Sequence, residues 1–394
     1  METNTAYLHK RAATVAYFAS MVLLGLSTAI LGPVLPDLAE HIRVTLGQAG
    51  LLFTARSLGY LVGSLYGGRA YDRLPGHRLL AGVLLVEALM LALVPVIYRQ
   101  WVLIAVLLVM GLAEGALDVG NNLLLMWVHG KGASPYLNAL HFFFGLGAFL
   151  APILVAQAVL WLQDISWAFW LLALYPIPVI LALFVYPSPA PLHESAQDAH
   201  GPVRWLLVAL LTVVFVLYVG AEVCFGGWVY SYALAAGMAT AAAAAYLTSA
   251  FWGALTVGRF LAIPIAARVS PGRIIYADLF GCLASMAVIM AFQTTTALWI
   301  GTIGLGLAMA SIFPTLLAYA GQHMALTGDV TRWFFVGTGA GGMILPWLAG
   351  RLFDRLGPDA VMWVILVSIL LMLGVFFGLD WMERLRSQNA AAGI

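Results

Sequence analysis

The chain has 394 residues, of which 63% are hydrophobic and 9% charged, with a formal net charge of +1. Soluble domains carry roughly 25% charged residues, so this chain has too little polar surface to cover a water-soluble globule, and lipid must be its solvent. The near-neutral charge removes the electrostatic basis for nucleic-acid binding. Two cysteines in apolar segments, Cys224 and Cys282, imply packing rather than a disulfide framework or a metal site.

Lys10 and Arg11 precede an apolar stretch that runs from residue 12 to about 38. A secretory core is only about 7–15 residues long, so a retained first helix is expected. About 20 apolar residues cross a bilayer as a helix. Runs of this kind lie near 12–38, 47–71, 79–98, 101–128, 135–161, 165–186, 204–236, 241–267, 273–293, 296–320, 332–353 and 359–380. Arg351, Asp354, Arg355, Pro358 and Asp359 crowd the junction of the last two. The expected fold is an all-α membrane protein of twelve spans.

Basic residues orient such a chain. With the N-terminus inside, the cytoplasmic side holds Lys10, Arg11, Arg69, Arg73, Arg78, Lys131, Arg204, Arg268, Arg273, Arg332, Arg384 and Arg386. The outer side holds Arg43, Arg99, Arg351 and Arg355. Both termini are therefore expected in the cytoplasm, and the membrane is expected to be the plasma (inner) membrane. One segment reads as a linker: 187–203, with Pro187, Pro189, Pro191, Glu194, Asp198 and Pro202. It separates a six-helix bundle at 1–186 from a second at 204–394.

The halves repeat. At an offset of 195, Val62-Gly63 meets Val257-Gly258, Arg73 meets Arg268, Arg78 meets Arg273, and Gly111-Leu112-Ala113 meets Gly306-Leu307-Ala308. Near 192, Gly145-x-Gly147-Ala148 meets Gly337-x-Gly339-Ala340. Weak internal symmetry of this kind is common in transporter folds. The repeat fails at Glu114 and Asp118, which face Met309 and Phe313. The packing skeleton is shared, but these acids belong to one half alone.

The loop after span 2 reads Gly68-x-x-x-Asp72-Arg73-x-x-Gly76-His77-Arg78. With one extra residue before the glycine, it resembles the cytoplasmic signature of the major facilitator superfamily. The resemblance implies two six-helix bundles related by a pseudo-two-fold axis and transport by alternating access. It also implies that Asp72 caps a helix of the opposite half and that Arg73 and Arg78 help lock the outward-facing state. A carboxylate suits the orphan amides and positive end of a helix.

A narrower resemblance, to the fucose permease and sodium-dependent glucose transporter branch, rests on three stretches. These are Ala116-Leu117-Asp118-Val119-Gly120-Asn121-Asn122, Asn138-Ala139-Leu140-His141 leading to Gly145-Leu146-Gly147-Ala148 and Pro152, and Tyr218-Val219-Gly220-Ala221-Glu222 with Gly227-Trp228. Fucose permeases have an acid within the first helix. This chain has Ser27 and Thr28 there, with Asp37 at the outer end, which leaves span 4 as the main acidic site.

An ionised side chain at mid-membrane costs about 2.5–3.5 kcal/mol on insertion scales. Arg56, Glu87, Glu114, Asp118, Glu222, Arg259 and Asp278 all lie inside spans. Arg259 and Asp278 sit toward cytoplasmic helix ends, where a structural role suffices. Arg56 is expected to pair with Glu87, or else with the acids of span 4. Glu114 and Asp118, one turn apart, share a helical face that Asn121 and Asn122 continue. Two such carboxylates cannot both ionise cheaply in a low dielectric. The pair is therefore the expected cation-coupling site, taking up a proton, or a sodium ion held by Asp118 with Asn121 or Asn122. No other metal and no cofactor is called for.

Amides and carboxylates bridge sugar hydroxyls, and an aromatic ring covers the apolar sugar face. Asn121, Asn122, Asn138, His141 and Glu222 are the polar candidates for substrate binding, and Trp228 is the aromatic one. Tyr230 and Tyr232 fit less well, and Phe142, Phe143 and Trp252 read as packing. Glu222 precedes Gly226-Gly227, where span 7 is expected to unwind. The leading expectation is a monomeric symporter of a monosaccharide-like solute driven by a proton or sodium gradient. The alternative is a proton-coupled exporter of amphipathic drugs or lipids. An enzyme would need a metal-ligand spacing, a phosphate-cradling glycine loop or a nucleophile elbow, and none is found.

Overall fold

The computed structural model describes residues 2–190 and 204–391, with side chains over 9–190 and 204–386. From residue 191 onward, the expected linker lies outside the described residues. Everything described is helix, turn or irregular chain, without a strand.

Twelve rods follow in chain order. They are α1 (Glu2–His41), α2 (Leu51–Arg73), α3 (Gly76–Leu93), α4 (Gln100–His129), α5 (Ser134–Gln157) and α6 in two pieces, Ser166–Leu174 and Ile177–Val185. After the linker come α7 (Trp205–Ala235), α8 (Ala241–Ala266), α9 (Pro271–Phe292), α10 in two pieces, Thr295–Met309 and Ile312–His323, α11 (Gly328–Leu356) and α12 (Asp359–Ala391). Among the described residues, ten of these helices are long and apolar enough to cross a membrane. The exceptions are α2, with Arg56, Arg69, Asp72 and Arg73, and α11, with Asp329, Arg332, Arg351, Asp354 and Arg355.

Lipid offers no hydrophobic drive for helix association, so membrane helices meet through small residues that let backbones touch. A Cβ on Gly63 would lie 2.1 Å from the Leu112 carbonyl oxygen of α4, and one on Gly258 would lie 2.9 Å from that of Leu307 in α10. Both members of the second contact stand 195 residues after those of the first. The contact of Gly147 in α5 with Val22 in α1 (2.1 Å to the carbonyl) returns 194 residues later as Gly341 against Val216 (2.1 Å), so the counterpart of Gly147 is Gly341, two residues beyond the Gly339 that the sequence offset matched to it. The duplication seen in sequence is thus a duplication of helix contacts.

By packing, the chain falls into two compact units: Met1–Ala196 with Val229–Gly253, and Gln197–Trp228 with Ala254–Ile394. Within the second unit, Arg204 holds the start of α7 to the end of α12 through both carboxylate oxygens of Glu383. Both cysteines are buried and free.

The expected unwinding of α7 at Gly226-Gly227 does not occur, and the helix runs through. Side chains on either side of the glycine pair tie it to α11. Trp228 Nε1 donates to the Pro346 carbonyl at 3.1 Å, and Cys224 Sγ lies 3.9 Å from that of Leu345. Two other helices break instead, α6 at Tyr175-Pro176 and α10 at Ala310-Ser311. Pro314 has no N–H to give the Ala310 carbonyl, the bond a continuous helix would make. The Tyr218 hydroxyl covers the neighbouring Met309 carbonyl at 3.0 Å, and the Ser311 hydroxyl donates to Asp278.

Candidate functional site

The acids of α4 belong to a ladder with α2, and glycine sets its register. Cβ atoms on Gly111 and Gly115 would stand 2.0 and 2.1 Å from the carbonyl oxygens of Arg56 and Tyr60. The two helices therefore touch backbone to backbone at these points. Three residues beyond each glycine comes an acid, and each acid meets the α2 side chain seated on that glycine. Arg56 Nε lies 2.8 Å from Glu114 Oε2 and donates to Oε1 at 3.1 Å. One turn on, the Tyr60 hydroxyl donates to Asp118 Oδ2 at 2.5 Å.

Helix α1 closes one side of the ladder with two adjacent hydroxyl residues, Ser27 and Thr28. Thr28 accepts from Arg56 through its hydroxyl (3.0 Å) and its carbonyl (3.4 Å). Ser27 donates to Glu87 Oε1 of α3 at 2.9 Å. Glu87 and Glu114 are wholly buried, at 0% exposure, while Asp118 and Tyr60 are only half-buried. The expected Arg56–Glu87 pair is thus replaced by the alternative, Arg56 with an acid of span 4, because the Gly111 contact carries Arg56 onto α4.

The asparagines part company. Asn122 Nδ2 donates to the Asp118 carbonyl at 2.9 Å and to Asp118 Oδ1 at 3.2 Å, which joins it to the ladder. Asn121 is buried on the α1 side, accepting from the Ser20 hydroxyl at 2.7 Å with its amide 3.7 Å from Met21 Sδ. Its hydrogen-bonding groups are taken up by helix packing, so the face expected to carry both asparagines carries only Asn122. Asn138 and His141 are exposed together at the start of α5.

In the second unit, Glu222 sits beside Tyr218 and within electrostatic reach of Arg259. Trp228 is fully enclosed, its ring 5.5 Å from that of Phe353 and its N–H bonded to α11. That placement suits packing, and Trp228 has no part in the site proposed below. Asp72, Arg73 and Arg78 are exposed. Beside them His77, which the sequence reading left without a role, is buried with its ring bonded to the Tyr17 hydroxyl (2.7 Å) and the Tyr186 carbonyl (3.1 Å).

Tyr60 was missed in the sequence, although a signal existed: it follows Arg56 by the same four residues that separate Glu114 from Asp118. The repeat sharpens the point. At the 195-residue step, Arg56, Tyr60, Glu87, Glu114 and Asp118 meet Phe251, Leu255, Cys282, Met309 and Phe313. The whole polar group is absent from the second copy.

Comparison with known proteins gives a consistent picture. Residues 17–346 match the model of the Major Facilitator Superfamily. The chain is 32% identical to sodium-dependent glucose transporter 1 of Xenopus laevis, over 83% of this chain and 73% of that protein. It is 30% identical to sodium-dependent glucose transporter 1A of Mus musculus, over 85% and 88% respectively. Among solved structures, a point mutant of the nucleoside transporter NupG superimposes with a TM-score of 0.77 at 12% identity, covering 95% of this chain and 99% of that one. A bacterial homolog of the human lysosomal transporter Spinster gives 0.74 at 12% identity, covering 96% and 97%.

Proposed function

The chain belongs to the Major Facilitator Superfamily, and from that premise we propose that this multi-pass secondary transporter couples the symport of a monosaccharide-like solute to a proton or sodium gradient. The observation that carries the proposal is the α2–α4 ladder, whose charged and hydroxyl positions are apolar or thiol residues at the matching positions of the second copy, and whose rungs differ in depth, Glu114 wholly buried and Asp118 half-buried. The sealed rung, Arg56 with Glu114, suits a switch whose charge balance a bound cation changes. The open rung, Tyr60 and Asp118 with Asn122, offers the hydroxyl, carboxylate and amide that sugar hydroxyls require. The relatives named as sodium-dependent glucose transporters support both the substrate class and the ion coupling.

In this reading Asp118 and Glu114 couple the cation. Asn122 binds substrate, joined by Asn138, His141 and Glu222. The bundles 1–186 and 204–394, joined by the 187–203 linker, are the bodies that alternate, with Asp72, Arg73 and Arg78 gating at the cytoplasmic face. The protein acts as a monomer in the plasma membrane. A ligand that binds the folded state raises its melting temperature, so a screen of monosaccharides at two pH values, with and without sodium, tests the substrate class. A shift with a hexose supports the proposal. A shift only with amphipathic compounds would favour an exporter instead.

A further inference from the structure

Glu87 is buried completely, with one hydrogen bond, from the Ser27 hydroxyl to Oε1. Its other oxygen, Oε2, is buried and has no hydrogen-bond partner. The charged groups within electrostatic reach are Glu114 and Arg56. Arg56 directs its Nε to Glu114 and its two terminal nitrogens to Thr28. Around Glu87, α1 presents Ser27 but no charge within its middle turns, and α6 carries no charged residue between Ser166 and Val185. The local balance is therefore one guanidinium against two carboxylates, and the guanidinium is already matched by Glu114. A second ionised carboxylate with an unsolvated oxygen is strongly disfavoured in such a place. One further positive charge is needed: Glu114 Oε2 also lacks a hydrogen bond but has the Arg56 Nε 2.8 Å away, whereas Glu87 Oε2 has no such neighbour.

We propose that Glu87 carries that charge as a proton and is the proton-binding residue of the transport cycle. The inference rests on the coupled-transport reading and deepens it, adding a proton-carrying carboxyl on α3 to the α4 acids that the reading assigns to coupling. A proton satisfies Oε2 by itself, whereas a metal cation would require several oxygen ligands, and Ser27 is the single hydroxyl bonded to this carboxyl. The consequence for the cycle is mechanical. With Glu87 protonated, Arg56 stays on Glu114 and Thr28, and α1, α2 and α4 are held together. When the proton leaves, two carboxylates compete for one guanidinium, and the α2–α4 rung is weakened from the α3 side. The same contest would follow in any conformation in which Glu87 gains access to water.

Infrared difference spectroscopy on the purified full chain tests this without reference to any substrate. A protonated buried carboxyl should give a carbonyl-stretch band at neutral pH that disappears as pH rises. The band should be unaffected by sodium at fixed pH and absent in Glu87→Gln. A band undiminished in Glu87→Gln, no band in the unmodified protein, or a Glu87-dependent band removed by sodium at constant pH would each overturn the assignment. If Glu87→Gln does not yield folded protein, Glu87→Asp should shift the band, and an unshifted band would overturn the proposal equally. In proteoliposomes, Glu87→Gln should lose gradient-driven accumulation while retaining solute exchange, now independent of pH. Accumulation at the unmodified level would contradict the role. If the unmodified protein accumulates no sugar, the transport reading fails on its own while the infrared band still reports on Glu87.

Discussion

Arg56 reaches three groups on two helices, and its removal would strand Glu114 as an unmatched charge in a site closed to water. Breaking a buried pair by deleting one partner costs about 3–5 kcal/mol. Arg56→Gln should therefore lower the melting temperature of the detergent-solubilised protein, and Glu114→Gln added to it should restore most of the loss. If the double variant melts no higher than the single, the two side chains are not partners. Asp118 behaves differently because it is only half-buried and accepts from Tyr60 and Asn122 without a cation. Asp118→Asn should abolish gradient-driven accumulation but leave exchange partly intact, and unchanged accumulation would remove Asp118 from the coupling role. At this scale the sequence exposed the acids but not their partners. The i, i+4 step marked Glu114 and Asp118 as one face, yet which asparagine joins them depends on the rotation of α4 against α1. The choice between Glu87 and Glu114 for Arg56 depends on a backbone contact at Gly111 that no spacing reveals.

Helices α2 and α4 are held at a separation that only glycine permits. At Gly111 an added methyl group would fall 2.0 Å from a carbonyl oxygen of the opposite helix, whereas at Gly82 on α3 it would meet nothing within 4 Å. Overpacking of this kind costs about 1–3 kcal/mol. Gly111→Ala should therefore destabilise by about that much and weaken transport by displacing the Arg56–Glu114 rung, while Gly82→Ala should be neutral in both thermal melting and uptake. Equal effects at the two positions would show that the α2–α4 contact does not set the site. The break in α10 is the element the sequence reading put in the wrong helix. Paired glycines in α7 looked like the weaker point, but side-chain bonds to α11 hold that segment, and the proline in α10 removes a backbone bond that nothing in its own helix can replace.

For the whole molecule, the number of helices and the repeat were legible because lipid imposes a length on every span and duplication leaves an offset. The twelve rods follow the apolar runs closely, and one sequence match, Gly63 and Leu112 with Gly258 and Leu307, proves to be a repeated contact. The chain's orientation is a separate matter, argued from basic residues alone. In a variant lacking Cys224 and Cys282, a cysteine at Lys131 should react with an impermeant thiol reagent only from the cytoplasmic side. One at Arg99 should react only from outside, and the reverse pattern would invert the proposed topology.

The central claim is that the ladder in one half exists to couple a cation to a travelling solute. Uptake of radiolabelled glucose into proteoliposomes, with an imposed proton or sodium gradient and without one, tests it most directly. Accumulation above the external concentration is expected when one of the gradients is imposed, and simple equilibration when neither is. Equilibration under every gradient, or no entry at all, would contradict it.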